Sequence, residues 1–135
     1  MENNSHVLLV NVTALERERI ITLFNDIEDR LEFVDTAAQA LNLLAGGQCY
    51  DAIFWGIESP NDDPGLVLEA VRLKRFPTAV VLITEIDDVA FYLQCLRGGV
   101  FDYILRPVDW REFRRIYGLA VHRPVASRVV GAQAA

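Results

Sequence analysis

Asp51-Ala-Ile-Phe-Trp-Gly-Ile-Glu-Ser-Pro60 reads as a buried strand that runs into a loop closed by proline. Asp51 to Trp55 has strand length and is apolar after its first residue, and Gly56 follows the run. Upstream, Val7-Leu-Leu-Val10 is another apolar run of strand length. Ala14 to Ile27 then carries Leu15, Ile20, Leu23, Phe24 and Ile27 at helical spacing, with Glu16, Arg17, Glu18 and Arg19 mostly on the other face and Thr13 as cap. Leu31 to Val34 is a second strand. Thr36 opens a second helix with Ala37, Ala40, Leu41 and Leu44 inward, and Gly46-Gly47 ends it.

Downstream, Asn61-Asp-Asp-Pro64 is a loop whose Asp63 and Pro64 suit an N-cap and a first-turn proline. A third helix covers Leu66 to Phe76 and stops at Pro77. Ala79 to Ile83 is a fourth buried strand. A fourth helix starts at Asp87 or Asp88, runs through Arg97 and ends at Gly98-Gly99. Phe101 to Leu105 is a fifth strand, and Asp109 caps a fifth helix from Trp110 to about His122. Residues 1–123 are expected to form one domain. Residues 124–135, from Pro124 on, read as a tail or the start of a linker.

These strands are continuously apolar rather than alternating, so both faces of their sheet must be covered. Strands alternating with helices in this way predict an α/β fold: a five-stranded parallel sheet, flavodoxin-like and doubly wound, in the order 2-1-3-4-5. Ligand sites in such sheets lie beyond the carboxyl ends of the strands. That singles out Asn11, Val12, Gly56, Glu58, Thr84, Glu85 and Arg106.

Composition narrows the function. The 135 residues are 52% hydrophobic, enough for a core without metals or disulfides. A net charge of -6 argues against this domain gripping nucleic acid, which needs a basic face. No run of about 18 apolar residues marks a membrane span, and the polar N-terminus lacks the layout of a signal peptide. Cys49 and Cys95 match no metal or redox spacing and read as small buried or half-buried hydrophobes. His6 and His122 lie far apart. A cytoplasmic protein without metal, cofactor or enzymatic activity is expected.

Gly56-Ile-Glu-Ser-Pro60, Val81-Leu-Ile-Thr84 and Gly98-Gly-Val-Phe-Asp-Tyr-Ile-Leu-Arg-Pro107 together resemble the receiver domain of two-component response regulators, over about Val7 to Val121. The last block is the most specific. The resemblance implies a pocket with two acidic residues after the first strand, a phosphoacceptor aspartate after the third, a Thr or Ser after the fourth and a Lys after the fifth. The carboxylates would hold magnesium, a hard cation that takes oxygen ligands. Here Asn11 and Val12 stand for the acidic pair, Gly56 for the acceptor and Arg106 for the lysine, while Thr84 is kept. The resemblance therefore implies an atypical receiver, without the groups for phosphoryl transfer.

Arg106 is then a cation without an aligned carboxylate. A buried guanidinium without a partner is costly, so Arg106 is expected either to pair with Glu58 or Glu85 or to point to solvent.

By the same resemblance the output face is made of helix four, strand five and helix five. Tyr103 is in the position of the switch aromatic; with no phosphoryl group to draw Thr84, it is expected to be a fixed packing residue. Val89, Phe91, Tyr92, Leu93, Cys95 and Leu96 run almost round helix four, so some must be exposed. Tyr92 and Leu96 are expected on the Tyr103 side. Trp110, Phe113, Ile116 and Tyr117 add aromatic and apolar surface from helix five, with Arg111, Arg114 and Arg115 free to pair with Asp87, Asp88 or Asp102.

The reading is a phosphorylation-independent signalling module acting through protein partners. A homodimer through helix four, strand five and helix five is expected, as the N-terminal regulatory domain of a response regulator controlling transcription. The alternatives are a stand-alone adaptor docking on a kinase or receiver, and a small anion or ligand sensor using Arg106, Thr84 and Asn11.

Overall fold

The chain alternates β1 (His6–Val10), α1 (Ala14–Leu23), β2 (Arg30–Val34), α2 (Ala37–Ala45), β3 (Ala52–Ile57), α3 (Gly65–Leu73), β4 (Ala79–Thr84), α4 (Val89–Arg97), β5 (Asp102–Leu105) and α5 (Trp110–His122). The structure, a computed structural model, describes residues 5–25, 28–59, 65–74 and 76–122. The sheet order is β2-β1-β3-β4-β5 with every pairing parallel, as expected. β3 and β4 are buried at every residue, while edge strands β2 and β5 are only half-buried.

Apolar residues on the two faces of the strands build two cores. Leu9, Phe54, Val81 and Ile83 pack with Ile20 of α1, with Phe24 just after that helix, and with Phe113, Ile116 and Tyr117 of α5. Leu8, Ile53, Val80 and Leu82 pack with Ala40 and Leu44 of α2, Val67 of α3 and Cys95 of α4. The parallel register sets Val10 beside Trp55, Ile57 beside Thr84, and Thr84 beside Leu105. Asn11, Gly56, Thr84 and Arg106 thus meet at one end of the sheet.

Several expectations change. β3 runs to Ile57, so Gly56 lies inside a buried strand rather than after it. On α1, Leu15 is 78% exposed and Glu16 is buried, the reverse of the expected faces. Glu16 precedes Ile20 by four residues and so shares its core-facing stripe, which Leu15 does not. Cys49 is exposed, because it follows the turn that ends α2, whereas Cys95 is buried. Phe113, Ile116 and Tyr117 are core residues at 0%, 1% and 2% exposure, not surface. Ile27, the loop at 61–64 and the tail at 124–135 lie outside the described residues.

Candidate functional site

Gly56 has no room for a side chain. A Cβ there would stand 2.2 Å from the Asn11 carbonyl oxygen and 2.7 Å from an Arg106 guanidinium nitrogen. The first contact is with backbone and cannot be relieved by rotating a side chain. Asn11 creates it by adopting a left-handed conformation, φ 57°, which asparagine tolerates better than most residues. Its Nδ2 donates to the Gly56 carbonyl at 2.9 Å. The residue where a carboxylate was expected thus closes over the glycine.

Arg106 fills the rest. Its backbone N–H donates to the Thr84 carbonyl at 2.8 Å, and its side chain turns toward α1. There Nε donates to Glu16 Oε2 at 2.8 Å and a terminal nitrogen donates to Glu16 Oε1 at 3.0 Å. The side chains are 8% and 11% exposed. This is a two-point guanidinium–carboxylate pair, the arrangement in which arginine outperforms lysine. Its partner is Glu16, not Glu58 or Glu85; those two residues are exposed on their loops.

Glu16 also closes a capping box: its Oε1 accepts from Thr13 N at 2.9 Å, and Thr13 Oγ1 accepts from Glu16 N at 3.1 Å. Thr13-x-x-Glu16 was visible in the sequence and is the signal that marks this carboxylate as held in place.

The other pocket residues take structural work. Val12 is half-buried against the core shared by α1 and α5. Thr84 is fully buried, and its Oγ1 accepts from Ile86 N at 3.1 Å. Magnesium does not fit here. Val12 offers no ligand, Asn11 offers a neutral amide in place of a carboxylate, and a guanidinium already stands against Gly56. Among the described residues no group of three His, Cys, Asp or Glu is placed to hold a metal ion.

Tyr103 connects this end to the edge of the sheet. Its hydroxyl donates to the Ile86 carbonyl, so Thr84 and Tyr103 hold the two sides of one peptide residue. Its ring meets Tyr92 edge-on at 5.1 Å and 90°, and Phe91 at 6.2 Å. Burial pushes its hydroxyl up to about 12, with Cys95, Asp87 and Asp88 adding to the effect. Tyr92 is 37% exposed beside Tyr103, as expected, while Leu96 is half-buried. Trp110 does not join this edge. It packs against Phe113, lies under Arg19 and lines a separate groove with Leu15 and Val108. Arg111 and Arg114 are exposed, but Arg115 is bound to Glu112 within α5.

No protein-family model matches the chain. Two-component response regulator ORR8 of Oryza sativa subsp. indica is 28% identical over 116 residues, covering 84% of this chain and 96% of that protein. The receiver domain of an HD domain-containing protein from Pseudomonas fluorescens superposes with a TM-score of 0.77 at 22% identity, covering 95% of this chain and 94% of that one. The homologues are two-component response regulators, and the fold is that of a receiver domain. Receivers are signalling modules that meet protein partners. The Saccharomyces cerevisiae Ssk1 receiver, solved in complex with the phosphotransfer protein Ypd1, matches with a TM-score of 0.71 at 14% identity, covering 88% of this chain and 90% of that one. This chain spans 5%, 14% and 47% of three other curated relatives, which are much longer proteins. Among the described residues no helix is long and apolar enough to cross a membrane.

Proposed function

We propose that this domain is a pseudo-receiver: a signalling module that works by protein contact without accepting a phosphoryl group. One observation carries the reading. The space beside residue 56 is taken by the Asn11 carbonyl and the Arg106 guanidinium, which Glu16 holds in place. The position is therefore rebuilt, beyond the loss of one aspartate. Incubation with acetyl phosphate or beryllofluoride and magnesium, followed by intact mass and NMR, tests it. No adduct and no magnesium-dependent shift around Asn11, Gly56 and Thr84 is the expected result; a covalent adduct in this pocket overturns the reading.

The same pair weighs against an anion sensor, because the guanidinium that an anion would need is already neutralised. The contact surface in this reading is the edge of α4, β5 and α5, where Tyr92, Leu93, Leu105 and Leu119 are 37%, 42%, 42% and 48% exposed. Control of transcription fits a regulatory domain of a longer regulator. A homodimer is one use of the edge; sedimentation of wild type and Tyr92→Glu tests it, a dimer in wild type alone supporting that use and a monomer in both removing it. The adaptor reading is favoured by the acidic lining at the same edge, where Asp87, Asp88, Asp109 and Glu112 converge.

A further inference from the structure

The start of α4, the end of β5 and the start of α5 enclose an open groove of about 440 Å³. Its floor is apolar and aromatic, made by Tyr92, Tyr103 and Leu105, and its rim carries the carboxylates of Asp87, Asp88, Asp109 and Glu112. The floor is already set: the Tyr103 hydroxyl is bound to Ile86 and its ring stands perpendicular to Tyr92. The rim is only partly neutralised. Glu112 is offset by Arg115. Asp88 and Asp109 accept from Ala90 N and Arg111 N, which fixes their positions but leaves their charge. Asp87 has no hydrogen-bonding partner among the described residues.

We infer that this groove receives an arginine from a partner protein, presented on a short segment with apolar neighbours. The inference rests on the reading of this edge as the contact surface. Guanidinium chemistry matches both parts of the groove: its plane stacks on a tyrosine face, and its fork bonds carboxylates. The apolar neighbours suit the exposed Val89 and Leu105, at 71% and 42%. A second copy is the poorer occupant. Each copy carries a net charge of -6, and like charges brought together at an interface work against association. Arg115 is already committed to Glu112, one of the residues that line the groove.

The test is an NMR titration of the isotope-labelled full chain with an acetylated peptide alternating arginine and leucine, and with the same peptide carrying glutamate for arginine. Shifts confined to residues 86–92, 103–105 and 109–112, with the arginine peptide alone, are expected. Asp87→Lys, an exposed site outside the helix caps, is expected to weaken binding by about tenfold, and added salt to weaken it further. Binding of both peptides alike, shifts elsewhere, or no effect of Asp87→Lys overturns the inference. If wild type is a dimer that Tyr92→Glu dissociates and the peptide does not bind, the contact edge stands and the arginine-bearing partner falls. If neither contact is seen, the reading of the edge falls with it.

Discussion

The carboxyl end of the sheet and the α4–β5 edge lie a few residues apart and solve opposite problems. At the carboxyl end the polar side chains close on one another: Arg106 on Glu16, Asn11 on Gly56, and Thr84 on Ile86. At the edge, tyrosines and carboxylates are left facing solvent around a groove. A receiver with a working pocket needs the first region open and uses it to control the second. In this chain the first is closed by internal contacts. Tyr103 and Ile86 join the two regions by packing and hydrogen bonding.

The largest effect is expected at the closed end. Glu16→Ala leaves a buried guanidinium without its partner and should cost about 3–5 kcal/mol of stability by denaturant unfolding. Replacing both partners by residues that pack, as in Glu16→Leu with Arg106→Met, should recover most of that loss. A single-variant loss below about 1 kcal/mol would mean that this end is open to water, and the contrast between the regions would disappear.

Gly56→Ala comes next. Its Cβ meets the Asn11 carbonyl at 2.2 Å, and overpacking of this kind costs about 1–3 kcal/mol. Gly56→Asp meets the same obstacle, so it is expected to lose stability without gaining an acetyl phosphate adduct. A stable, modified Gly56→Asp protein would show that Asn11 and Arg106 move aside freely.

Tyr103→Phe removes the bond to the Ile86 carbonyl and should cost about 1 kcal/mol. The wild-type hydroxyl also sets a pH dependence. Its ionisation is pushed up to about 12 in the fold, against about 10 in an unfolded chain. The neutral phenol is therefore favoured by folding. Its stabilising contribution is complete below about pH 10 and is lost as pH rises toward 12. Tyrosinate absorbance in wild type and Tyr103→Phe measures this: the variant should lose the component near pH 12, while Tyr50 and Tyr117, whose hydroxyls burial also pushes up, still titrate late.

The smallest effect on stability belongs to the open edge. Tyr92→Glu should change unfolding by no more than about 0.5 kcal/mol while abolishing contact with a partner or second copy. A large loss of stability would assign Tyr92 to the core and move it out of the contrast.

Much of this was legible along the chain. The alternation of apolar runs and helical periods gave ten elements, and the strand order follows from that pattern. Asn11, Val12, Gly56, Thr84 and Arg106 were identified as neighbours because strand ends of a parallel sheet converge. Glu16 was missed as a site residue because a charged residue near the start of a helix usually faces water. Two local signals pointed the other way: its spacing from Ile20 and the Thr13-x-x-Glu16 box. Phe113, Ile116 and Tyr117 were expected at the surface because an amphipathic stripe does not say which side of the sheet it will meet.

The sequence alone determined the parallel sheet, which depends on periodicity, and the identities of Asn11, Val12, Gly56, Thr84 and Arg106 at the strand ends, which the resemblance to receivers compares with an acidic pocket. Only the tertiary structure decided how those residues fill the end of the sheet. The pairing of Arg106 with Glu16 spans 90 positions, and the Asn11 carbonyl reaches Gly56 through a backbone angle that no composition records. Both are consequences of how close the strand ends come once their two faces are covered, and that distance is set by packing.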